Sequence, residues 1–126
     1  ELLVYNEYRH GIGEVSYTFP AGGIENNETI EETTKRELLE ELGYEFSDFK
    51  ILKKNIVSAS YMFSELNYIS IKNIKKVCEP SCVDIEDPDI LWLSKDSVIN
   101  AIKEDKFKGL TYVTAALIWL FYEEKK

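Results

Sequence analysis

Residues 28–45 hold seven glutamates, Glu28, Glu31, Glu32, Glu37, Glu40, Glu41 and Glu45, against two bases, Lys35 and Arg36. Two minus seven is −5, most of the net charge of −8 carried by the whole chain. Carboxylates gathered this way repel one another unless something offsets them. A solvated acidic face is the ordinary explanation. A hard divalent cation, which takes several carboxylate and water oxygens, is the chemical one.

The spacing decides how those oxygens would be presented. Thr29 fits a helix N-cap and Glu32, three residues on, completes a capping box. Gly43 fits a left-handed C-cap. Between them Leu38, Leu39 and Leu42 form an apolar stripe for a core. At 100° per residue, with Glu37 at zero, Glu41 falls near 40° and Glu40 near −60°. The three share one face, turned away from the leucines. They occupy the last turns, where the helix dipole disfavours anions, and each like-charged pair costs a few tenths of a kcal/mol. A bound cation explains that placement directly.

Ahead of the helix, a strand at Val15–Phe19 runs into Pro20-Ala21-Gly22-Gly23. Proline fixes one dihedral there and the glycines allow a ligand to approach the backbone. Further on, Ser94 is read as the N-cap of a helix around 95–105 and Thr111 as that of a second around 112–124.

The whole composition narrows the function. With 126 residues the chain is one domain, long enough for a real core. Apolar residues make up 44% and charged residues 30%, which excludes disordered and low-complexity classes. Fifteen bases against 23 acids argue against nucleic-acid backbones and anionic membranes as partners. The longest apolar run, Leu110 to Tyr122, falls short of the roughly 20 residues that span a bilayer. His10 is the only histidine, so few serine–histidine or cysteine–histidine nucleophiles can be built. Cys78 and Cys82 read as reduced thiols, with a disulfide as the alternative; no secretory signal is read, and a cytoplasmic protein is expected.

Taken together, Gly22, five residues, Glu28, seven residues, then Arg36-Glu37-Leu38-x-Glu40-Glu41-x-Gly43-Tyr44 resembles the Nudix signature. Only Tyr44 stands where an aliphatic residue is usual. The resemblance implies an α/β fold, an α/β/α sandwich with a mixed sheet. It implies magnesium- or manganese-dependent hydrolysis of a nucleoside diphosphate linked to another moiety. Glu37, Glu40 and Glu41 become the metal ligands, joined by the Ala21 carbonyl, with Glu40 and Glu41 also counted as catalytic. Gly22 and Gly23 are placed at the substrate. Glu28 and Arg36 become the pair that fixes the motif, with Gly43 closing its helix. A helix pair between Arg36 and Glu40 or Glu32 is the plainer alternative for that arginine.

A narrower likeness reaches over most of the chain. Glu7-Tyr8-Arg9-His10-Gly11 resembles the Q-Y-R-x-G segment of ADP-ribose and nucleotide-sugar pyrophosphatases, which places Arg9 at the substrate. Phe19-Pro20-Ala21-Gly22-Gly23-Ile24-Glu25 and Ile90-Leu91-Trp92-Leu93-Ser94 are similar to further segments of theirs. By the same likeness Glu86 matches the general base. Ser64-Glu65 matches a pair that gives Glu65 a substrate or metal role, with an ordinary strand charge as the alternative. Two departures stand out. Glu7 replaces glutamine, and residues 58–63 carry no proline.

The expected products are a nucleoside monophosphate and a sugar phosphate. A dinucleoside polyphosphate or oxidised nucleotide is the alternative substrate, and a non-catalytic binding or regulatory module the alternative class. Tyr8, Tyr17 and Phe19 are candidates to sandwich the base, though strand aromatics are more often core. The start at Glu1 reads as a domain short of its N-terminal strands, leaving an apolar edge near Leu2–Tyr5. The related pyrophosphatases are commonly homodimers, so a homodimer whose partner covers that edge is expected.

Overall fold

The structure, a computed structural model, describes residues 1–25, 27–59, 62–79 and 89–124. It divides into two compact units, Glu1–Gly23 with Ser81–Lys126, and Ile24–Pro80.

The first unit is built on a three-stranded antiparallel sheet. Strand β1 (Leu2–Arg9) lies between β2 (Glu14–Thr18) and β7 (Asp89–Leu93). Leu2–Asn6 pair with Leu93–Asp89, and Tyr5–Arg9 pair with Thr18–Glu14. The apolar edge expected at Leu2–Tyr5 is therefore closed along β7, and β1 is the central strand. Long-range pairing of this kind leaves no local trace in sequence. Helix α2 (Lys95–Lys103) starts at Ser94, whose hydroxyl accepts the Ser97 amide at 3.2 Å. Asp96 in its first turn and Lys103 in its last suit the dipole.

Helix α3 spans Leu110–Glu124. It begins earlier than the threonine cap implied, because the Gly109 carbonyl already accepts the Tyr112 and Val113 amides at 3.1 and 3.0 Å. Thr111 is inside the helix. Val4, Val98, Ala101, Phe107 and Ala116 form the buried cluster of this unit. Val4 and Val98, both fully buried, each contribute about 1.5–3 kcal/mol. Phe107 meets the edge of Tyr17 at 5.5 Å and stacks on Phe19 at 5.7 Å. Two of the three aromatics considered for a base, Tyr17 and Phe19, thus pack against the core. Among the described residues no helix is long and apolar enough to cross a membrane.

The second unit carries helix α1 (Ile30–Leu42), strand β3 (Tyr44–Glu45), a hairpin of β4 (Asp48–Ala59) and β5 (Met62–Lys72), and β6 (Lys75–Lys76). β3 pairs with β6, and β4 with β5, both antiparallel. A bulge between Ile51 and Lys53 shifts the hairpin register. Leu38 and Leu42 of α1 are buried, whereas Leu39 is 39% exposed. The pair four apart makes the stripe; Leu39, at the edge of the arc, does not join it.

Candidate active site

Helix α1 is bracketed at both ends as its residue types require. The Thr29 hydroxyl accepts the Glu32 amide at 3.1 Å, and the Glu32 carboxylate accepts the Thr29 amide at 3.1 Å. At the other end Gly43 adopts φ 71° and ψ 27° and donates its amide to Leu39 at 2.9 Å. Its own carbonyl accepts the Val77 amide at 2.8 Å, which ties the helix end to the chain leaving β6.

Arg36 is the hub of the acidic face. Its Nε donates to Glu28 Oε2 at 2.9 Å and its Nη2 to Glu28 Oε1 at 3.0 Å. Its Nη1 donates to Glu37 Oε1 at 3.0 Å and lies 3.6 Å from Glu40 Oε2 and 3.7 Å from Glu25 Oε1. One guanidinium thus serves four carboxylates, not only the helix neighbour at four residues. Glu28 also accepts from the Glu25 amide and the Thr33 hydroxyl, each at 3.1 Å. Hydrogen bonding from Arg36, opposed by partial burial and helped by the Glu25 amide and Thr33, holds its carboxyl at about 2 against the usual 4.5. The same bond pushes the Arg36 guanidinium further above its already high value.

Thr33 and Glu25 belong to this frame, and motif spacing alone did not single them out. Thr33 is buried, one helical turn before Arg36 and on the same face. That threonine, five residues after Glu28, was the available signal.

The donor chemistry suits a hard divalent cation. Glu37 and Glu40 side chains keep 22% and 49% of their surface exposed, enough for a cation to reach their oxygens. Among the described residues, however, no three acidic, imidazole or thiol groups converge on one point. Glu37 and Glu40 turn toward Arg36 instead.

The remaining sequence-derived residues fall elsewhere. Ala21, Gly22 and Gly23 are exposed in the irregular segment after β2. Arg9 ends β1, paired with Glu7 at 3.1 Å and lying over the Tyr112 ring. Glu65 on β5 pairs with Lys54 of β4 at 3.4 Å, each about half exposed. Glu86 and Cys82 lie outside the described residues.

The described residues thus combine an α/β fold, a capped acidic helix, an arginine hub and a glycine-rich segment ahead of the helix. Residues 1–112 match the family model for the NUDIX domain, and the chain belongs to that family. It is 32% identical over 73 residues to the ADP compounds hydrolase NudE of Escherichia coli (strain K12), covering 58% of this chain and 39% of that protein. A crystal structure of an ADP compounds hydrolase superposes with a TM-score of 0.85 at 21% identity, over 98% of this chain and 66% of that one. The solution structure of the E. coli ORF135 protein gives 0.61 at 16% identity, over 98% and 80%. The chain thus spans about two fifths of the curated relative.

Proposed function

We propose that the chain hydrolyses the pyrophosphate bond of a nucleoside diphosphate derivative, ADP-ribose or a nucleotide sugar, to a nucleoside monophosphate and a sugar phosphate. The observation that carries this is the acidic face of α1, framed by the Arg36–Glu28 pair in a Nudix chain. Two of the three similar proteins are described as ADP compounds hydrolases, which supports an ADP-linked substrate.

Glu37, Glu40 and Glu41, with the Ala21 carbonyl, would hold Mg2+ or Mn2+. Such an ion supplies positive charge that draws electrons from the phosphoryl oxygens. The chain's own residues do the rest. Glu28, Arg36 and Gly43 fix the helix on which the carboxylates stand. Arg9, Gly22, Gly23 and Glu65 are assigned to the substrate. Glu86 takes the proton from the attacking water, a task a carboxylate can perform.

A panel of ADP-ribose, nucleotide sugars, dinucleoside polyphosphates and oxidised nucleotides, incubated with magnesium and read by chromatography, tests the reading. AMP and ribose 5-phosphate from ADP-ribose are expected. No turnover of any member would reject it. We read the assembly as a cytoplasmic homodimer; light scattering at several concentrations tests the dimer, and a monomer throughout would exclude it.

A further inference from the structure

Arg9, at the end of β1, and Tyr112, in the first turn of α3, line one open cavity of about 190 Å3. The guanidinium carbon lies 5.9 Å from the centre of the Tyr112 ring. Gly11 and Ile12 from the turn after β1, Ser16 and Thr18 of β2, and Gly109 ahead of α3 complete the walls.

Each jaw has a partner of its own. The Thr18 hydroxyl, almost fully buried, donates to Glu7 Oε1 at 2.9 Å. The same oxygen accepts from Arg9 Nη1 at 3.1 Å. A carboxylate at position 7 therefore anchors the arginine by charge, which the glutamine of the related segment cannot do. On the opposite side, a Cβ added at Gly109 would stand 2.7 Å from Cδ2 of Tyr112. The missing side chain lets that ring lie against the backbone. Phe19 backs it at 6.4 Å.

We propose that the gap between Arg9 and Tyr112 takes a flat heteroaromatic ring, the base of a nucleotide. That the nucleotide is part of the hydrolysed substrate rests on the reading above; the clamp itself rests on these distances. A base has two π-faces, and a tyrosine ring and a planar guanidinium are both good stacking partners. Two contacts at van der Waals distance need roughly 7–8 Å, so Arg9 yields by about 1–2 Å. Its side chain is 46% exposed, so solvent borders much of it and leaves room for the shift. Tyr17 and Phe19 are engaged by Phe107, and Tyr112 is the aromatic that lines the cavity.

Calorimetric titration of AMP and of ribose 5-phosphate into the whole protein tests the clamp, with Tyr112→Leu, Gly109→Ala and Arg9→Met as variants. AMP affinity is expected to fall about tenfold or more in each, the range a lost base stack covers. Ribose 5-phosphate, which has no base, should bind Tyr112→Leu and Gly109→Ala as it binds wild type. Unchanged AMP affinity in a folded Tyr112→Leu protein would overturn the proposal. Should that variant fail to fold, since Tyr112 also touches the core, unchanged affinity in Arg9→Met decides against it equally. Turnover of ADP-ribose with unaltered AMP binding in the variants would sink the clamp alone. AMP binding lost in the variants without turnover by wild type would sink the hydrolase reading alone.

Discussion

Arg36 and Glu28 meet through two parallel hydrogen bonds across eight residues, Nε to Oε2 at 2.9 Å and Nη2 to Oε1 at 3.0 Å. Glu28 stands just before the N-cap and Arg36 in the middle of α1, so the pair binds the incoming loop to the helix body. A bidentate guanidinium–carboxylate pair fixes orientation as well as distance. The edge of Arg36 that is left over, Nη1, then faces Glu37, Glu40 and Glu25. Loop, helix and the acidic face are thereby set by one side chain.

The pair should make the fold sensitive to acid in a defined window. The Glu28 carboxyl is held at about 2 from an ordinary 4.5. A depressed carboxyl contributes its stability in full above the ordinary value and loses it as pH falls from there toward the folded one. Thermal melts of wild type and Glu28→Gln should therefore differ at pH 7, and the difference should shrink between about pH 4.5 and 2. A difference independent of pH would mean that Arg36 does not hold the Glu28 charge.

Metal binding is expected to depend on Glu41. Glu41→Gln should lose most of its magnesium affinity in calorimetry and most of its turnover. Its melting point should stay near wild type or rise slightly, because removing one of several like charges on a helix relieves a few tenths of a kcal/mol. Equal magnesium affinity in the two proteins would remove Glu41 from the ligand set.

Glu86→Gln tests the assignment of the base. The amide keeps the shape and loses the proton acceptor, so kcat should drop about 10²–10⁴-fold with substrate and metal affinity nearly intact. Wild-type turnover would move the role to another carboxylate, Glu65 first.

The parts of this chain that sequence made legible are the local ones. The capping box at Thr29 and Glu32, the glycine C-cap at Gly43 and the Ser94 cap are each written within a few residues, and each is found where its chemistry puts it. What escaped depends on distant partners. The place of β1 between β2 and β7 is set by residues about ninety positions away, and its apolar run alone reads equally well as an edge. The start of α3 escaped because a glycine carbonyl does the work that a threonine hydroxyl usually signals. Tyr112 escaped because it lies in a helix whose residues are almost all apolar, where a ring reads as core. Only the close approach of its ring to Gly109 sets it apart, and that is a distance, not a pattern.

Gly43 carries the sharpest stability prediction. Its φ of 71° is one that L-residues enter at a cost of about 1–2 kcal/mol. A second penalty is independent of the first: a Cβ there would collide with the carbonyl oxygen of Cys78. Backbone on that side cannot simply swing away, because the Gly43 carbonyl accepts the Val77 amide at 2.8 Å and the Cys78 amide at 3.3 Å. Gly43→Ala should therefore destabilise by more than the conformational term alone, at least about 2 kcal/mol in urea denaturation. Asparagine separates the two causes, since it tolerates the left-handed region but carries the same Cβ. If the collision dominates, Gly43→Asn should be nearly as unstable as Gly43→Ala. Recovery to near wild type with asparagine would show that the chain after β6 yields, and that Gly43 serves only as a left-handed cap. Because Glu40 and Glu41 stand in the turn that Gly43 closes, loss of magnesium affinity should accompany the loss of stability.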